Sequence, residues 1–296
     1  MWFKNLQLYR IARDWGMTPE MLETQLARKT FQPCGSQDME SRGWRAPAAD
    51  GALVHAINRQ WLICLTVENR LLPASVVRQQ ADERAIDLAE KQGYRVGKKQ
   101  MKELREEISR ELLPRAFTRR RRTFAWIDPQ DGWLVIDAAS PARAEEVLET
   151  LRQSLDFFPV SLVRTARSPA SAMANWLADE APAGFTIDRD CELRSVTEEK
   201  AAVRYVRHSL EGDEIKQHLA AGKQPTRLAL TYDDRVSFVL TERLELKRLD
   251  FLDVVRDQVD STEDAEAVFD AEFLMMTGEL ARLLPAIIET LGGEGD

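Results

Sequence analysis

Leu112-Leu113-Pro114-Arg115-Ala116-Phe117-Thr118-Arg119-Arg120-Arg121-Arg122-Thr123-Phe124-Ala125-Trp126-Ile127 is the stretch on which the fold turns. Leu112-Leu113-Pro114 ends a helical pattern, and Thr123 to Ile127 starts an apolar strand. Between them stand four consecutive arginines. Guanidinium groups keep their charge at any working pH, so the run repels itself unless it stays solvated or faces a polyanion. One reading is a strand edge kept from pairing by charge. The other is a phosphate-binding surface.

The flanking residues extend the charge. From Lys91 to Arg122 there are twelve Lys and Arg against Glu103, Glu106, Glu107 and Glu111, a net of +8. The whole chain carries a formal −8, so the remainder sums to −16. Charge separated in this way favours a polyanion at one surface while the rest of the body repels it.

The composition is that of an ordered globular chain. Its 296 residues are 44% hydrophobic and 30% charged, enough for one or two domains with a real core. No apolar run approaches the roughly 18 residues of a membrane span. Met1-Trp2-Phe3-Lys4-Asn5 lacks the features of a signal peptide. Cys34, Cys64 and Cys191 are odd in number and far apart, which suits a reducing cytoplasm better than a disulfide framework.

The periodicity predicts an α+β chain of antiparallel sheets packed with helices. Trp2 to Ile11 alternates as a strand, with Phe3, Leu6, Leu8 and Ile11 as inward positions. Thr18-Pro19 starts a helix reaching about Lys29, and Phe31 to Asp38 is a loop. Ala52–Ile57 and Trp61–Val67 form a hairpin about Asn58-Arg59. Helices from Pro73 to about Gln92 and from Lys98 to Leu113, joined through Gly93 to Gly97, make a projecting helical arm. Its stripe of Met101, Leu104, Ile108 and Leu112 needs a cover, either a sheet of the same chain or a second copy.

Arg119–Ile127 and Trp133–Ile136 form a second hairpin. Ser140-Pro141 starts a helix to about Leu155, Phe158–Val163 is a strand, and Ser168-Pro169 starts a helix through Trp176. Ala181-Pro182-Ala183-Gly184 divides the chain into residues 1–180, which hold the arm at about 73–114, and residues 181–296. The second part carries strands at Phe185–Ile187, Ala202–Arg207, Arg227–Thr231, Val236–Leu240 and Leu244–Leu249, with a short helix at about Gly212–Ala221. It closes with a long helix, Ala265 to Leu291. From Asp250 onward thirteen acids face only Arg256 and Arg282, so this end cannot lie on DNA. Its apolar stripe packs on the sheet or forms a subunit interface.

No signature of catalysis stands out. Gly93-Tyr94-Arg95-Val96-Gly97-Lys98-Lys99 is one residue short of a P-loop, and Lys99 replaces the Ser or Thr that would hold magnesium. His55, His208 and His218 are scattered, and no His or Cys pair has zinc spacing. Cys34 sits in a loop without a nucleophile signature. Asp128, Asp131, Asp233 and Asp234 occupy turns, where Asp is favoured for backbone reasons. The expectation is a protein that is not an enzyme and needs neither cofactor nor metal.

Four stretches carry a resemblance: Trp2-Phe3-Lys4-Asn5-Leu6; Phe31 with Pro33-Cys34-Gly35-Ser36-Gln37-Asp38; Leu112-Leu113-Pro114-Arg115-Ala116-Phe117; and Leu274-Met275-Met276-Thr277-Gly278-Glu279-Leu280. In this order they resemble the bacterial recombination-associated protein family called RdgC, over nearly the whole chain. The resemblance implies a non-enzymatic, nucleoid-associated protein of the cytoplasm. It implies a ring-shaped homodimer that surrounds double-stranded DNA with little sequence preference and restrains the RecA recombinase. Binding of single-stranded DNA stays open.

On this reading the DNA-binding candidates are Lys98, Lys99, Arg115, Arg119, Arg120, Arg121, Arg122, Arg204, Arg207, His208, Lys223, Arg227, Lys247 and Arg248. By resemblance, Arg207-His208 falls in a family segment implicated in DNA contact. Phe117 is either ordinary core or an apolar plug at the dimer interface. No element shows the Asn, Gln and Arg pattern of base readout, so contacts go to phosphates. Two alternatives remain. One is a protein-only adaptor whose basic arm docks an acidic partner, and the other is a metal-dependent DNA-processing enzyme using the turn carboxylates.

Overall fold

The computed structural model describes residues 1–196, 201–258 and 264–295, so part of the acidic C-terminal stretch lies outside the described residues. Among them, twelve strands form one antiparallel sheet, with eight α-helices around it. The strands are β1 (Leu6–Ile11), β2 (Glu40–Arg45), β3 (Val54–Ile57), β4 (Gln60–Leu71), β5 (Phe117–Asp128), β6 (Trp133–Asp137), β7 (Val160–Leu162), β8 (Phe185–Ser195), β9 (Ala202–Tyr205), β10 (Lys223–Tyr232), β11 (Val236–Thr241) and β12 (Leu246–Phe251). The sheet runs β2-β4-β5-β6-β1-β12-β11-β10-β8-β9, with β3 also pairing β4 and β7 pairing β1.

The helices are α1 (Pro19–Leu26), α2 (Ala74–Gln92), α3 (Lys98–Leu112), α4 (Pro141–Ser154), α5 (Pro169–Ala178), α6 (Asp213–Ala220), α7 (Asp253–Arg256) and α8 (Ala265–Thr290). Local chemistry sets their ends. The Thr18 hydroxyl accepts from Met21 N and Pro19 opens α1, as the sequence implies. Ser168 caps α5 in the same way, whereas Ser140 stands at the cap of α4 without a side-chain bond. Asn58 and Arg59 both have positive φ, the signature of a tight hairpin turn, and Asp233-Asp234 repeat it between β10 and β11.

The two faces of the sheet are covered unequally. On one face α8 and α5 pack a core that includes Leu6, Leu8, Trp126, Leu228, Leu240, Phe273 and Leu284. On the other, α1 and α4 cover only the first half, burying Tyr9, Ile11, Ile63, Ile127, Ile136, Val147 and Leu151. β1 lies mid-sheet and is buried on both faces: Leu6 and Leu8 point one way, Tyr9 and Ile11 the other. The expected strand from Trp2 starts later, at Leu6, although Phe3 is fully buried. β2 and α7 had no clear sequence signal. β2 is polar, and Gly43 lets the Phe31 backbone lie against it; a Cβ there would fall 2.5 Å from the Phe31 Cα.

The α2–α3 pair has a core of its own. Ala81, Ala85, Leu104 and Ile108 bury one another, with Val77, Val96, Met101 and Leu112 at the margin. The stripe on α3 is therefore covered by α2. Gly93, in the left-handed region, ends α2 and permits the reversal. Because this cluster is separate, Ile108→Ala should loosen α2 and α3 by about 2–4 kcal/mol without touching the two larger clusters. Hydrogen exchange resolved by segment checks this: faster exchange within 74–112, with β10 and β11 unchanged.

Candidate nucleic-acid interface

The arginine run forms the start of β5. It pairs with β4 in the register Arg119↔Asn69, Arg120↔Glu68, Arg121↔Val67 and Arg122↔Thr66. On its other side β6 reaches only Ala125 to Asp128, so among the described residues the strand carries a free edge from Phe117 to Phe124. Strand alternation sends Arg120 and Arg122 to the face of α8, and Arg119 and Arg121 to that of α4. The run is thus split between two faces.

Three of the four arginines have internal partners. Arg120 pairs with Glu68, an acid only 2% exposed, and lies 5.5 Å from the Phe31 ring centroid. Arg121 pairs with Glu146 of α4. Arg122 donates to the Ala46 and Pro47 carbonyls, both at 2.9 Å, and to Cys64 Sγ at 3.2 Å. Arg119 is exposed, and no ion pair or hydrogen bond of its side chain occurs among the described residues. The Arg120 hydrogen bond and the Cys34 amide hold the Glu68 carboxyl below its usual range. Arg115 ends a 3-10 turn after α3 and is exposed. Phe117 is 83% exposed, so it is not part of the core of this chain. Lys98 and Lys99 open α3, where the helix dipole disfavours cations, and both are exposed.

Four of the seven candidates of the second half come together on the sheet face that α1 and α4 leave uncovered, and Arg207, His208 and Lys223 lie outside the groove they line. A groove of about 340 Å³ is lined by Arg204, Arg227, Lys247 and Arg248, with Asp190, Glu192, Tyr205 and Asn5. Glu192, 4% exposed, is its anchor. Arg204 Nη2 reaches its Oε2 at 2.6 Å, and Arg194 Nη2 and Thr226 Oγ1 reach its Oε1, each at 3.0 Å. Burial raises the Glu192 carboxyl pKa, but the Arg204 and Thr226 hydrogen bonds and the Arg227 charge outweigh it, and the net shift is downward. Burial pushes the neighbouring Cys191 thiol up to about 12.

Arg248 sits at a shift of register between β11 and β12 with φ +51°, the mark of a bulge that re-aims a side chain. Its Nη1 meets Asp190 Oδ2 at 3.2 Å, and the Arg207 amide meets Asp190 Oδ1 at 2.9 Å. Lys247 is tied to Glu245 at 3.2 Å and to the Ala139 carbonyl at 2.8 Å. His208 Nδ1 lies 2.7 Å from the Ser209 carbonyl, and Lys223 Nζ lies 3.0 Å from His218 Nδ1, beyond the groove lining.

Sequence reasoning found the cations and missed the acids that hold them. Asp188, Asp190, Glu192 and Arg194 alternate through β8, a period-2 signal hidden by ending that strand at Ile187. Asp128 is spoken for by its turn, accepting from the Gln130 and Asp131 amides. Among the described residues no group of three or more His, Cys, Asp or Glu could hold a metal ion, and no helix is long and apolar enough to cross a membrane.

Comparison with known proteins gives a consistent result. A family model described as "Putative exonuclease, RdgC" matches residues 1–294. The chain is 57% identical over 300 residues to the recombination-associated protein RdgC of Dechloromonas aromatica, covering 99% of this chain and 98% of that one. It is 50% identical over 296 residues to the protein of the same name from Herminiimonas arsenicoxydans, covering 99% of each.

The groove geometry has a pH consequence. A carboxyl held low in the fold stabilises fully above its unfolded value, ordinarily 4.5, and loses that effect as pH falls through the lower folded value. Glu192→Gln should therefore lower the melting temperature at pH 7. The gap to the parent chain should close as pH falls below 4.5, read by thermal unfolding across a pH series.

Proposed function

The chain belongs to the RdgC family, and on that footing we propose that it binds double-stranded DNA through its phosphates, without sequence preference. It acts as a homodimeric ring in the nucleoid and restrains RecA by occupying the DNA on which RecA must filament. The observation that carries this reading is the uncovered, cation-lined groove on the second half of the sheet. A face left bare by helices suits a broad ligand, and buried Glu192 and half-buried Asp190 pre-orient the guanidiniums that would meet it. Backbone contacts of this kind position a protein without reading bases.

Exposed Phe117, at the start of β5 beside exposed Leu71, supports a contact with a second copy, the plug reading made from sequence. The α2–α3 pair then serves as the arm that brings this contact to its partner. Lys98, Lys99, Arg115 and Arg119 extend the cationic surface along it. Arg120, Arg121 and Arg122 contribute mainly to the fold, through the partners described above.

The word exonuclease in the family description favours one rival, a metal-dependent DNA-processing enzyme. Incubating end-labelled DNA with magnesium or manganese separates the two: intact DNA in a bound complex is expected, and progressive shortening would replace binding by catalysis.

Binding should weaken steeply with salt and equally for unrelated duplexes. Each phosphate contact contributes about −0.9 to the log–log salt slope, so the double variant R119A/R248A should flatten it by up to about 1.8. Fluorescence anisotropy across a salt series reads this, and an unchanged slope removes both residues from the interface. Phe117→Ala should shift the mass in sedimentation from dimer toward monomer, with little change in melting temperature because the side chain is exposed.

A further inference from the structure

Arg70, near the end of β4, holds an arrangement that none of the roles above uses. Its Nη1 donates to the carbonyls of Leu113 at 3.0 Å, Pro114 at 3.3 Å and Ala116 at 3.3 Å. Its Nη2 donates to the carbonyls of Gly35 at 3.0 Å and Cys34 at 3.5 Å. Among the described residues no carboxylate is within ion-pair distance, and its buried Nε has no partner. The guanidinium charge is met by five backbone dipoles instead. Two chain segments are thereby fastened to one side chain: the loop around Cys34-Gly35 and the 3-10 turn Leu113–Arg115 through which α3 enters β5. Gln37 Nε2, 3.4 Å from the Arg110 carbonyl, adds a weaker link from the same loop to the last turn of α3.

The position matters because the helix pair has a separate core, and its chain connections to the sheet are the ends of β4 and β5. The last carbonyls of a helix are unsatisfied acceptors. A planar fork of five donors spreads over five carbonyls of two segments, where a lysine ammonium offers three donors from one point.

We propose that Arg70 is a positioning residue. It locks the base of the α2–α3 pair to the sheet and so aligns Lys98 and Lys99 with the groove cations as one phosphate-binding surface. The second clause rests on the DNA-binding reading; the lock itself does not.

The test uses the full chain with R70K, and with R70M as a second variant. Hydrogen exchange needs no DNA. Amides of 34–39 and 113–116 should exchange at least about tenfold faster in either variant, while those of β10, β11 and the interior of α2 and α3 keep their protection. Unchanged exchange in 34–39 and 113–116, or loss of protection throughout, overturns the lock. A double-mutant cycle tests the alignment. K98A/K99A should weaken duplex binding severalfold in the parent chain and have little further effect with R70K. Full persistence of the lysine contribution in R70K, as a merely structural role would give, overturns the alignment. If the parent chain does not bind DNA, the DNA reading falls with the alignment clause, and the exchange result alone decides the lock.

Discussion

A carboxylate removed from water must be met by a cation or by hydrogen-bond donors, and among the described residues three buried glutamates are met by arginine. Glu68 takes Arg120, Glu192 takes Arg204 and Arg194, and Glu279, 2% exposed on α8, takes Arg235 and Arg282. The pairs stand in the first half of the sheet, in the second half, and between β11's turn and the long helix. Each fixes an arginine whose position would otherwise cost side-chain entropy. The cations of the chain fall into two groups as a result. Some, such as Arg120 and Arg235, neutralise buried acids and belong mainly to the fold; others, such as Arg119, Arg248 and the exposed Arg204 that Glu192 holds, keep donors toward solvent.

The division changes how a basic run is understood. Counting charge along the sequence makes Arg119 to Arg122 the most cationic feature of the chain. In the folded sheet, alternation splits the run between faces, acids at distant positions claim Arg120 and Arg121, and backbone carbonyls claim Arg122. The groove of the second half draws its cations from three strands instead, β9, β10 and β12, one or two from each. Residues far apart in sequence gather there because β9, β8, β10, β11 and β12 lie side by side.

Much of the fold was legible. Proline and hydroxyl caps placed α1 and α5, and the Asn58-Arg59 and Asp233-Asp234 turns set two hairpins. The apolar stripe of α8 announced a core helix. What stayed hidden lacked a local signal. β2 is too polar to read as a strand and is held by pairing with β4. β8 continues past Ile187 because Glu192 on its polar face is satisfied by Arg194 of the same strand and Arg204 of β9. For the site, the cations Arg204, Arg227, Lys247 and Arg248 were named from sequence, yet their convergence depends on register and on a bulge at a non-glycine residue. Arg70 gave no signal at all, since its partners are backbone carbonyls, which every residue has.

The self-contained core of α2 and α3 makes the length of this pair independent of the sheet. All four of its fully shielded apolar side chains belong to the two helices themselves. Adding or deleting seven residues in each helix, two turns apiece, preserves the phase of the facing stripes and alters the length of the pair by about 10 Å. The strands at its foot, joined at Leu71↔Phe117, keep their pairing either way. A change in length confined to this one insertion therefore leaves the sheet and its two larger cores as they are.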